Sequence, residues 1–312
     1  MRRHSALPKR KASKLLHFLE WLGFKALVLI CGVLGRHGSF LLGWTLGTLL
    51  WWIGFKRRRR TLHNIELVYG GGMSSAARRR LGRRCYAFAG GFFAELLWFG
   101  MRKQKGLPRC CHIIGAERLR EALRGGRGAV LISAHIGNFP LLGIYLRRFG
   151  FPVHVVLVAP FNPLIARELE QMRRRLKLPE IYVVPRKTAA IRCLNALRNN
   201  QAIWTLIDQK FHQGILINFL GHPAQVAAGT ALFALRARSP ILAVNIHRTP
   251  RAKHVITISE PIKVASNTKN PIIATMQKFS DKVGEFVLKY PEQWTWYHRR
   301  WQVRWHKLRK RG

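Results

Sequence analysis

The chemistry in this chain starts at one histidine. Within GAVLISAHIGNFPLLGIYL, residues 128–146, a short apolar run carrying β-branched Val130 and Ile132 leads through Ser133-Ala134 to His135. The chain then breaks at Gly137-Asn138 and turns apolar again at Phe139-Pro140. A histidine poised near neutral pH can take a proton from a hydroxyl. A carboxylate stands at Asp208, where another apolar run ends, and in so basic a chain that place suggests a purpose; the only other aspartate is Asp281. Charge developing on a carbonyl oxygen calls for amide donors. Gly137 and Asn138 supply one candidate set, and the helix opening around Ala227–Gly229 supplies another. Arg173, Arg174 and Arg175 form a cluster able to grip phosphate. Each feature also has a plainer reading: a core histidine, close helix–sheet packing through Gly229, a solvated arginine face.

These residues need elements to hold them. The run before His135 reads as a buried parallel strand delivering the histidine to its C-terminal end, and Pro140 suits the first turn of the helix after it. In open α/β sheets ligands bind at that end. Apolar runs at 153–159, 181–184, 202–207, 241–247 and 254–259 predict further strands, and periodic stretches at 161–176, 188–197 and 271–290 predict helices. Residues 115–124 read as a short amphipathic helix and 61–107 as a helical region. The alternation predicts an α/β fold with a largely parallel central sheet flanked by helices.

Residues 1–60 read as a basic, hydrophobic membrane-attachment segment and 61–312 as the α/β domain. From Gly38 to Phe55 run eighteen residues without a formal charge, closed by Lys56-Arg57-Arg58-Arg59-Arg60. That length just suffices to span a bilayer, but both flanks are basic, so a hairpin or a helix lying in the interface is equally compatible. The whole chain has 55 Lys and Arg against 13 Asp and Glu, a net charge of +42, which demands a polyanionic partner. Ten tryptophans, many beside cations, turn that choice toward a membrane surface. PEQWTWYHRRWQVRW, 291–305, reads as an interfacial anchor. Nucleic acid is disfavoured because the basic residues are spread along the chain and no nucleic-acid module is recognisable. Five cysteines without a CxxC spacing argue for a reducing compartment and against structural zinc.

Several blocks taken together resemble the bacterial lipid A late acyltransferases (the lauroyl/myristoyl family) and related lysophospholipid acyltransferases. They are HNIEL at 63–67, SAHIGN at 133–138, Asp208-Gln209, the stretch from 218 to 241, and PEQWTWYHRRW at 291–301. The resemblance implies a glycerolipid-acyltransferase-like fold on the cytoplasmic face of a bacterial inner membrane. It implies transfer of an acyl chain from acyl carrier protein or coenzyme A to a hydroxyl of a lipid A precursor or related lipid, with no metal or redox cofactor. The partners implied are anionic lipid, acyl carrier protein and the lipid acceptor, and the oligomeric state is left open.

One position departs from the family. Its pattern is His, four residues, then Glu or Asp, and Pro140 stands where that acid belongs. Proline can neither orient an imidazole nor stabilise an imidazolium. Three readings follow: another carboxylate substitutes, His135 works alone and slowly, or the chain is a non-catalytic lipid-binding descendant. Asp208 is the favoured substitute, ahead of Glu168 and Glu170.

Overall fold

The structure is a computed structural model and describes residues 13–102, 110–211, 213–264 and 268–301. Its centre is a seven-stranded sheet in the order β1-β9-β8-β2-β5-β3-β4. The strands are β1 (Cys111–Ile114), β2 (Ala129–Ser133), β3 (Val153–Leu157), β4 (Glu180–Tyr182), β5 (Ala202–Leu206), β8 (Ile241–Arg248) and β9 (His254–Pro261). β8, β2, β5, β3 and β4 run parallel; β9 pairs antiparallel with β8 and parallel with β1. A separate hairpin joins β6 (Ile215–Phe219) to β7 (His222–Val226) through Leu220-Gly221, both at positive φ, a turn suited to a right-twisted hairpin. The sequence pattern gave no warning of this hairpin or of β1.

β2 lies between two parallel neighbours and is buried at every residue, which explains its uninterrupted apolar run. Its side chains alternate between two cores. Val130 and Ile132 pack with Ala189 of α7 (Arg186–Arg198), Ala231 of α8 (Gly229–Ala237) and Met276 of α9 (Pro271–Lys289). Ala129 and Leu131 pack on the other face with α3 (Ser75–Gly100), α4 (Ala116–Arg124), α5 (Phe139–Arg148) and α6 (Pro163–Arg175), through Phe99, Leu119, Leu142 and Met172. The helical region expected at 61–107 divides into α2 (Phe55–Tyr69) and α3 at the triple glycine 70–72.

The N-terminal helix α1 (Lys14–Ile53) is long and apolar enough to cross a membrane. It is bent where Gly35 leaves helical geometry at φ 69°. Its second half runs antiparallel along α3 at close range. A Cβ on Gly43 would stand 2.2 Å from the Gly90 carbonyl, and one on Gly90 would stand 2.0 Å from the Gly43 carbonyl. Small residues permit this approach of two backbones. Gly90→Val should therefore force the helices apart and lower stability by roughly 1–3 kcal/mol or more, the range for overpacking. Gly23→Ala, in the first half of α1 with nothing within 4 Å, should leave the melting temperature level or slightly raised. Thermal unfolding of both variants checks the contrast.

Candidate active site

β2 and β5 pair in register and end together at Ser133 and Leu206, and the Ile207 amide bonds the Ser133 carbonyl. The residues that follow emerge side by side. His135 Nδ1 lies 2.7 Å from Asp208 Oδ1, and the His135 backbone amide donates to Asp208 Oδ2 at 2.9 Å. Trp294 Nε1 donates to the same Oδ2 at 2.8 Å. Asp208 is 1% exposed. Burial alone would raise its carboxyl, but the charge of His135 and the hydrogen bonds from the His135 ring and amide and from Trp294 hold it well below the usual carboxylate range.

An ionised Asp208 takes the Nδ1 proton as acceptor, which leaves the lone pair on Nε2. That nitrogen points outward, where Gln209 Nε2 donates to it at 2.9 Å. The Gln209 amide also lies 3.4 Å from His298 Nε2. Burial, then the charge of His135, pushes the His298 imidazole down to about 4, so it stays neutral around pH 7 and accepts hydrogen bonds. Phe139 presses edge-on against the His135 ring with centroids 4.7 Å apart. The constellation is an oriented base with an adjacent amide donor and an apolar wall.

The 291–301 part of the expected interfacial anchor belongs to this site instead. Trp294 and Trp296 are 2% and 0% exposed, and Arg300 is buried as well. Asn64, from the HNIEL block, donates to the carbonyls of Trp296 and His298 at 2.7 and 2.8 Å, pinning the segment across the sheet's C-terminal edge. The remaining residues of that stretch, 302–305, lie outside the described residues. The mix of aromatics and cations serves internal partners: Trp294 donates to Asp208, Trp296 to the Pro291 carbonyl, and Arg300 lies over the Phe219 ring.

The other expected residues fall differently. The Gly137 amide is taken: it donates to the Gln293 carbonyl at 2.9 Å, so it is not free for an oxyanion. Gly137 sits at φ 59° with no room for a Cβ against the Ile246 carbonyl, so its glycine serves close packing. The Asn138 side chain is buried and turns away from His135, donating to the Phe92 carbonyl and to Glu95 Oε2. Gly229 opens α8 beside Thr205, where the Thr230 and Thr205 hydroxyls meet at 3.2 Å. Arg173, Arg174 and Arg175 end α6, a helix that runs back from the C-terminal end of β3 to the start of β4. They therefore lie at the sheet edge opposite His135, with Arg173 paired to Glu180 and Arg174 to Glu170. Glu168 is engaged by Lys25 and Trp21. Pro140 occupies the first turn of α5.

Residues 8–303 match the protein family described as bacterial lipid A biosynthesis acyltransferase. The chain is 27% identical over 316 residues to the lipid A biosynthesis lauroyltransferase of Escherichia coli K12, covering 96% of each chain. It is 21% identical over 191 residues to the phosphatidylinositol mannoside acyltransferase of Mycolicibacterium smegmatis, covering 61% of this chain and 62% of that one. With a mostly parallel sheet presenting His135 and Asp208 at its C-terminal edge, the chain is an acyltransferase belonging to the bacterial lipid A biosynthesis acyltransferase family.

Proposed function

We propose that this protein transfers a fatty acyl chain from an acyl thioester, on acyl carrier protein or coenzyme A, to a hydroxyl of a lipid A precursor or related lipid. The observation that carries the reading is the His135–Asp208 pair, with an ionised carboxylate on Nδ1 and the lone pair on an outward Nε2. The acceptor hydroxyl displaces the Gln209 amide from Nε2 and gives its proton to the ring. Its oxygen attacks the thioester carbonyl, the C–S bond breaks, and the departing thiolate takes the proton back from the imidazolium. No covalent enzyme intermediate forms. Gln209, released from His135, can donate to the developing oxyanion, whereas the Gly137 amide is already bonded to the Gln293 carbonyl.

Helix α1 supports membrane attachment. Its inner face packs on α3, Glu168 and Asn162 engage its first half, and Arg36 at its middle is drawn into the protein by Glu95. Its outer face presents Leu15, Leu19, Leu29, Val33, Leu41 and Ile53. A helix held to the domain along its length favours lying in the interface over spanning. The positive surface supports binding to an anionic, cytoplasmic-facing inner membrane and to an acidic carrier protein. The test is mass spectrometry of total lipids from cells with and without the gene. We expect one lipid class to lose a single ester-linked acyl chain when the gene is absent. An unchanged lipid profile under conditions where the protein is expressed contradicts the proposal.

A further inference from the structure

A second polar cluster lies behind the His135 loop, in the apolar interior where α1, α3, α5, β8 and β9 meet. Its centre is Glu95, which is fully buried. Arg36 Nε lies 2.9 Å from Glu95 Oε1 and Arg248 Nε 3.5 Å from the same oxygen. His254 Nε2 lies 3.1 Å from Glu95 Oε2, and the Asn138 amide donates to that oxygen at 3.0 Å. Burial would raise the Glu95 carboxyl, yet the hydrogen bond and charge of His254 and the charges of Arg248 and Arg36 bring it down to about 2. Burial disfavours a charged His254, but hydrogen bonds to Cys110 and Glu95 raise it overall.

The charges do not balance. Two guanidiniums face one carboxylate, and each arginine side chain is only 10% exposed. An excess cation largely withdrawn from water is costly unless an anion completes it. Arg36 spends further donors on the Ala252 carbonyl. Arg248 is the less committed of the two. Its guanidinium carbon lies 3.6 Å over the Phe40 ring, and its terminal nitrogens reach no protein acceptor among the described residues. A planar guanidinium stacked on an aromatic face with its outer edge free is set to take phosphate oxygens in a bidentate grip.

The cluster is also coupled to the catalytic loop. Gln293 accepts the Gly137 amide through its carbonyl and exchanges two hydrogen bonds with the Arg248 backbone, while Glu95 touches both Arg248 and Asn138. We propose that Arg248, backed by Arg36, is a binding site for a phosphate ester beside the His135 loop, taking the role that Arg173–Arg175 are too distant to fill. Two sources carry that chemistry, the headgroup of a phospholipid at the surface of α1 and a soluble phosphate ester such as a 4′-phosphopantetheine arm. The site rests on the acyl-transfer reading, but its test is binding and needs no turnover.

The full-length protein in nonionic detergent is titrated at constant ionic strength with inorganic phosphate and, separately, with a short-chain phosphatidic acid, and its melting temperature is read. Both probes should raise the wild-type melting temperature saturably. Arg248→Gln should weaken binding at least tenfold, and Arg248→Lys, which keeps the charge beside Glu95 but not the fork, severalfold. Arg174→Gln should match wild type. If Arg248→Gln does not fold, Arg248→Lys decides alone. Tighter binding of phosphatidic acid identifies a lipid headgroup, and equal binding a soluble phosphate. The proposal is overturned by a wild type with no saturable response, by folded Arg248 variants that bind like wild type, or by an equal loss in Arg174→Gln.

Discussion

His135→Ala should abolish acyl transfer while the protein still folds and reaches membranes. The side chain is 15% exposed and its outward nitrogen meets, among the described residues, the Gln209 amide, so truncation removes the base without opening the core. Loss of a positioned general base costs on the order of 10²–10⁴-fold. The measurement is turnover of a labelled acyl thioester with a lipid acceptor, at equal folded protein judged by melting temperature. Retention of most activity removes His135 from the mechanism.

Asp208→Asn should be nearly as severe, for a different reason. Asp208 Oδ1 holds the Nδ1 proton, so its charge both fixes the tautomer and stabilises the imidazolium. In hydrolase triads the same change costs about 10⁴-fold with the geometry intact. An amide can keep its oxygen on the His135 amide and the Trp294 indole, but its NH₂ then faces Nδ1 and favours the wrong tautomer of the ring. Loss of the charge from these buried hydrogen bonds costs about 1–3 kcal/mol, so the melting temperature should fall together with activity. Pro140→Glu completes the test. Asp208 already occupies Nδ1 at 2.7 Å, so restoring the family's acid at 140 should leave wild-type turnover near its starting value. A large gain from Pro140→Glu means that Asp208 is not the working partner.

Much of the sheet can be read in the sequence because its central strands are buried on both faces and therefore appear as bare apolar runs, as in Ala129–Ser133. His135 and Asp208 are each visible as a polar residue closing such a run. Their pairing is suggested only by the family resemblance, because it depends on β5 inserting between β2 and β3 and on the Ser133–Leu206 register, which no local pattern encodes. The same limit explains 291–301. Period and composition cannot separate a tryptophan facing lipid from one donating to a buried carboxylate, and Trp294 does the latter. Glu95 escaped notice for a related reason: it sits in an apolar helical stretch, and its partners Arg36, Asn138, Arg248 and His254 come from four distant parts of the chain. The arginines 173–175 stood out by clustering, yet the βαβ crossover carries the end of α6 to the wrong edge of the sheet.

The central claim is that His135 and Asp208 together drive acyl transfer from a thioester to a lipid hydroxyl. It is tested most directly by following one reaction with two readouts, free thiol released from the acyl donor and acylated lipid by mass spectrometry, for wild type, His135→Ala and Asp208→Asn. The account predicts one thiol per acylated lipid in the wild type, and loss of both products together in either variant. Lipid binding by the wild type with no thiol release, or acylated lipid still forming at the wild-type rate in His135→Ala, contradicts it.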